Sequence, residues 1–171
     1  MRRRGFLKTA GGAGAVLLGG GGFLFLRPTK SVALPAEPLL FFSPREYAIF
    51  TAIAEAMIVV PAGVPGVQEA KVAQKADTYM ARNVVDAQKD FHALLGLFDN
   101  ALAGLLLCGT TAPFSQMDHD GRHAYLAKWE NHSLPLIRSG FIGLKKLAMS
   151  CYYASPEAWP SLHYPGPMEA L

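Results

Sequence analysis

The chain has 171 residues, 51% of them hydrophobic and 17% charged, enough for one domain with a sizeable core and too apolar for a disordered chain. Its formal net charge of +3 is a local property: Arg2, Arg3, Arg4, Lys8, Arg27 and Lys30 are six of the 16 basic residues, no acid precedes Glu37, and ten basic residues face 13 acidic ones in the remainder. That balance leaves no basic block suited to neutralising phosphates and excludes nucleic acid as a partner.

The chain opens on Arg3-Arg4-Gly5-Phe6-Leu7-Lys8. This resembles the twin-arginine export signal, in which Ser or Thr precedes two arginines, any residue, and then Phe-Leu-Lys. Arg2 holds the Ser/Thr place, and Arg3, Arg4, Phe6, Leu7 and Lys8 complete the match. Thr9 to Leu26 follows with no charge, and seven of its 18 residues are glycine. Its length is near the minimum for spanning a bilayer, but so much glycine suits an export signal better than a permanent anchor. Residues 1–36 are therefore expected to be signal and linker, an address and not part of the fold, with 37–171 as the domain. Leu34-Pro35-Ala36 does not define a cleavage site, so a leader retained in the membrane stays open. Either way the expected compartment is the periplasm, free or at the membrane. Gly11-Gly12-Ala13-Gly14 is no dinucleotide turn, because no strand precedes it and the nearest acid downstream is Glu37.

Thr29 to Phe42 is Pro-rich and reads as a linker. Ser43-Pro44-Arg45-Glu46 then predicts a helix start, with Ser43 as cap, Pro44 at the first helical position and Glu46 closing the capping box. Tyr47, Phe50, Ile53, Ala54 and Met57 follow at helical spacing until Pro61-Ala62-Gly63. A second helix is predicted over 68–82, with Val72, Ala76 and Met80 inward. A third, from Val84 to Leu107, carries a broad stripe of Phe91, Leu94, Leu95, Phe98, Leu102, Leu105 and Leu106, with Asp99 and Asn100 on its polar flank. Ser115-x-x-Asp118 suggests a capping box for a helix to about Asn131 that must tolerate Gly121. Ser133-Leu134-Pro135 opens the last helix, to about Tyr153, with Ile137, Phe141, Leu144, Leu147, Ala148 and Cys151 on one face. One capped turn follows at Ser155 to Trp159, and Pro160 to Leu171 is expected to be extended. The sum is an all-α bundle of about five main helices with a Pro/aromatic tail.

Candidate chemistry is sparse. His119 and His123 stand four apart, on one face of a helix, in a pattern like a zinc protease motif. Against zinc stand the short Asp120 in place of Glu, the intervening Gly121 and the lack of a third ligand, and the pair reads first as a solvated helix face. An exported zinc metalloenzyme using both is the alternative function. No Gly-x-Ser-x-Gly occurs, and no Cys-x-x-Cys. Cys108 and Cys151 are left as free, paired, or bridged to another chain; the preferred reading buries Cys108 and turns Cys151 toward a partner. Tyr152, Tyr153, Trp159, Tyr164 and Pro165 form a ring-rich, proline-stiffened cluster. Its rings either fold back onto the bundle or form an interface.

Arg3-Arg4, Phe42 to Ile58 with the Pro/Gly break after it, Arg138-x-x-Phe141-x-x-Leu144-Lys145, Tyr152-Tyr153-x-x-Pro156-x-x-Trp159 and Tyr164-Pro165-Gly166-Pro167 occur in that order. Together they resemble the gluconate 2-dehydrogenase subunit 3 family over nearly the whole chain. The resemblance implies a small, non-catalytic subunit with no cofactor of its own. It also implies a separate flavoprotein of the glucose-methanol-choline type holding FAD, and a multihaem cytochrome c that takes the electrons. The small subunit would lend its signal for the twin-arginine translocation machinery to a partner that lacks one, and support that partner's folding or flavin loading. It does not indicate which sugar, sugar acid or alcohol the complex oxidises.

Overall fold

The computed structural model describes residues 34–166. Among these residues are six α-helices and no strand: α1 (Pro44–Met57), α2 (Val72–Ala81), α3 (Val85–Phe98), α4 (Ala101–Cys108), α5 (His119–Glu130) and α6 (Pro135–Tyr153). Short 3₁₀ turns lie at Phe114–Gln116, Pro156–Ala158 and Pro160–Leu162. The all-α bundle is as expected, and the helix added to the expected five comes from a break in the third.

α1 lies at the centre. Its capping box is complete: Ser43 Oγ accepts from Glu46 N–H, and Glu46 Oε2 accepts from Ser43 N–H at 2.9 Å. Phe50, Ile53 and Ala54 are fully buried, and α1 touches α2, α3, α5 and α6. α6 packs against α2, α5 and α1, burying Ile137, Phe141, Leu144 and Ala148. Leu147, expected on that face, is partly buried at its edge.

Four local expectations are corrected. The second helix begins at Val72, because Lys71 takes a left-handed conformation at φ 52° and 67–71 form turns instead. Val72, Ala76 and Met80 do point inward. The third helix bends by 74° between α3 and α4. Asn100 caps α4, its Oδ1 accepting from Leu102 N–H at 2.9 Å and Ala103 N–H at 3.1 Å, while Asp99 is buried instead of flanking. Asp99 Oδ1 accepts from Ser115 N–H at 2.8 Å and Oδ2 pairs with Arg45 at 3.2 Å, so the corner is pinned to α1. Third, α5 is capped by Asp118, not Ser115. Asp118 Oδ1 accepts from Gly121 N–H, and a Cβ at Gly121 would lie 2.8 Å from that oxygen, which is why glycine fits there. Last, the stretch taken as linker ends earlier than Phe42. Phe42 is buried against Phe50, and Phe41 stacks on His92 at 4.2 Å.

One carboxylate fixes that strap. Asp77, only 3% exposed on α2, accepts from the backbone N–H groups of Leu40, Phe41 and Phe42 at 2.8, 2.9 and 2.7 Å. The chain thus enters the bundle at a fixed point. Tyr47 sits beside this site, and burial, reinforced by Asp77, pushes its phenol up.

Candidate functional site

Arg3, Arg4, Phe6, Leu7 and Lys8, with the rest of the leader, lie outside the described residues. The C-terminal ring cluster lies largely inside them and forms one structure. α6 ends at Tyr153, and the chain then turns back through the last two 3₁₀ turns instead of extending. Trp159 Nε1 donates to the Tyr153 carbonyl at 2.9 Å, and Tyr164 meets the Trp159 ring edge-on at 5.4 Å. Gly166, at φ 105°, lies against the same indole, where a Cβ would come within 3.1 Å of a ring carbon.

Ser155 ties this end to α2. It caps nothing. Its buried Oγ lies 2.8 Å from the carbonyl oxygens of both Ala70 and Cys151, which share its single proton, and accepts from Lys75 Nζ at 2.6 Å. Lys75 also donates to the Ala70 carbonyl at 3.1 Å and to Glu157 at 3.3 Å. Tyr152 Oη donates to the Pro65 carbonyl at 2.8 Å, closing the loop after α1 onto α6.

The expected interface residues therefore divide. Tyr152 is buried and structural. Cys151 is 6% exposed, and burial pushes its thiol up to about 11, partly offset by Lys75. A buried thiol in that state is a poor nucleophile, so a bridge to a partner would require this helix end to open. Cys108 is buried as expected, its thiol also raised by burial, and both cysteines are free. Tyr153 at 53% and Tyr164 at 47% stay exposed with Pro165, while Trp159 is half-buried between them.

Two features escaped the sequence reading. Leu105 and Leu106, placed in an inward stripe, are exposed on α4, Leu106 at 69%. The bend at Asp99–Asn100 turns them outward, and the signal that could have shown it is Asn100, a capping residue inside the stripe. Asp77 is the other. Among the described residues no single helix is long and apolar enough to cross a membrane; only α3 and α4 together pass that test, as a bent pair. His119 and His123 do come together, with Nε2 atoms 3.2 Å apart. Among the described residues no group of three His, Cys, Asp or Glu side chains is placed to hold a metal.

Buried polar groups thus tie strap, corner and tail to the helices, and the exposed apolar side chains include rings at one end and leucines on α4, which defines an all-helical domain. The chain belongs to the gluconate 2-dehydrogenase subunit 3 family, whose model matches residues 44–166, from the first residue of α1 to the glycine behind Trp159. Membership makes it a subunit of a dehydrogenase complex and implies a catalytic partner subunit. No curated protein and no solved structure matches the chain.

Proposed function

We propose that this chain is the non-catalytic small subunit of a flavin-dependent sugar, sugar-acid or alcohol dehydrogenase, that it carries its catalytic partner through the twin-arginine route, and that it supports the partner's folding and flavin loading. The family match over 44–166 carries this reading. The Arg3-Arg4 motif supports the export half, and the strap held by Asp77 gives the leader a fixed origin on a folded domain. In this reading FAD belongs to a partner of the glucose-methanol-choline type, a multihaem cytochrome c takes the electrons, and the complex works in the periplasm at the membrane.

The partner surface in this reading is the exposed end formed by Tyr153, Tyr164 and Pro165 on the Trp159 platform. Tyrosines held by prolines lose little freedom on docking, which suits them to anchor an interface. Coexpressed with its flavoprotein, the chain is expected to copurify with it and to raise the fraction carrying flavin. Tyr153→Ala with Tyr164→Ala should weaken retention of the partner by roughly tenfold or more, with circular dichroism unchanged. Full retention in that variant, with loss in Leu105→Asp/Leu106→Asp, would move the interface to α4. A flavoprotein equally soluble, equally flavinated and equally exported without this chain would remove the proposed function altogether.

A further inference from the structure

His119 and His123 are the first and fifth residues of α5, one helical turn apart on the same face. Their rings meet at a centroid distance of 4.4 Å and their Nε2 atoms at 3.2 Å. Imidazole nitrogens bind zinc at about 2.0–2.1 Å, so two of them on neighbouring tetrahedral positions stand about 3.3 Å apart. The pair therefore already has the spacing of two ligands to one ion.

A second contact sets the chemistry. His119 Nδ1 lies 3.2 Å from Asp120 Oδ1. An acceptor there favours the tautomer with the proton on Nδ1, in which the Nε2 lone pair faces His123. Metal-binding histidines commonly hand their other N–H to a carboxylate in this way. A cation at a helix start meets the positive end of the helix dipole; the carboxylates of Asp118 and Asp120, on either side of His119, act against that penalty. The histidine side chain is 77% exposed, so water can fill the remaining positions.

We propose that His119 and His123 form a surface site for one late divalent transition metal, Zn²⁺ or Cu²⁺, bound through both Nε2 atoms with water completing the shell. Two protein ligands hold an exchangeable ion, without the closed shell of a structural zinc site. This assignment does not rest on the partner reading above. Asp120 serves to orient His119 and does not activate water, which separates the site from the zinc-hydrolase pattern that the sequence resembles. By the usual order of divalent affinities Cu²⁺ binds more tightly than Zn²⁺, and Mg²⁺, which prefers oxygen, does not compete.

Titration calorimetry of the untagged full chain with ZnSO₄ and with CuSO₄ tests this. One saturable equivalent is expected. Affinity should fall tenfold or more in His119→Ala and in His123→Ala, and by less in Asp120→Asn. It should be unchanged in His163→Ala, with the same helical dichroism throughout. A chain that takes up no more of either metal than its His119→Ala/His123→Ala variant overturns the proposal. So does binding that survives in His123→Ala, since both rings are required.

Discussion

Asp77→Ala is expected to bring the domain close to unfolding. Its carboxylate accepts three backbone N–H groups, and the Phe42 bond is fully buried. Removing one partner of a buried hydrogen bond leaves an orphan that costs about 1–3 kcal/mol. Leu40 is exposed, so its freed N–H can turn to water at lower cost. The remaining donors, with the void left by the side chain, put the loss at about 3–5 kcal/mol. Whole domains have only about 5–15 kcal/mol of stability. Asp77→Asn keeps an acceptor oxygen and is expected to lose about half as much. Urea titration followed by helical dichroism measures both. The strap should also become the first site of limited proteolysis, ahead of Pro44. A loss below about 1 kcal/mol in Asp77→Ala, on the scale of a single net hydrogen bond, would show that the strap is held by Phe41 and Phe42 alone.

Phe98→Ala should cost about as much, for a different reason. Phe98 is fully buried where α3 ends, with Phe114 at 4.8 Å, Trp129 at 4.6 Å and Tyr125 at 5.2 Å between ring centroids. The Tyr125 hydroxyl donates to the Phe98 carbonyl at 2.9 Å, so this packing sits on the corner that Asp99 pins. Truncating a buried phenylalanine costs about 3–5 kcal/mol, and the upper part of the range applies where neighbours cannot collapse. Here the neighbours are rigid rings on α5 and the 3₁₀ turn. The measurement is again a denaturant midpoint, and a loss under about 2 kcal/mol would show that the ring cluster closes over the gap.

What could be read from the sequence was local and periodic. The Ser43 box, the inward face of α2 and the face of α6 are each written within a few residues. The bend at Asn100 was written too, as a capping residue, but the leucine stripe runs through it at helical spacing and argues for one straight helix. Periodicity reports which residues would share a face if the helix continued; only the cap says that it does not. Asp77 could not be found in this way, because its partners are backbone groups 35 to 37 residues earlier and no side-chain type marks them. Among the ring residues, Tyr152 and Tyr153 are adjacent in sequence yet one is buried and one exposed. A helix turns neighbouring residues by about 100°, and that step carries Tyr153 off the inner face that Tyr152 still reaches. Cys151 lies on the inner face with Ala148 and Leu144, and that periodicity outweighed its nearness to the tail.

The central claim, that one chain exports two, is tested most directly at Arg3 and Arg4. Both are replaced by Lys in cells that make this chain and its flavoprotein, and each protein is quantified in the periplasmic and cytoplasmic fractions. The account predicts that both proteins stay in the cytoplasm together, with periplasmic dehydrogenase activity lost. A flavoprotein that reaches the periplasm in normal amount while this chain is retained would contradict it.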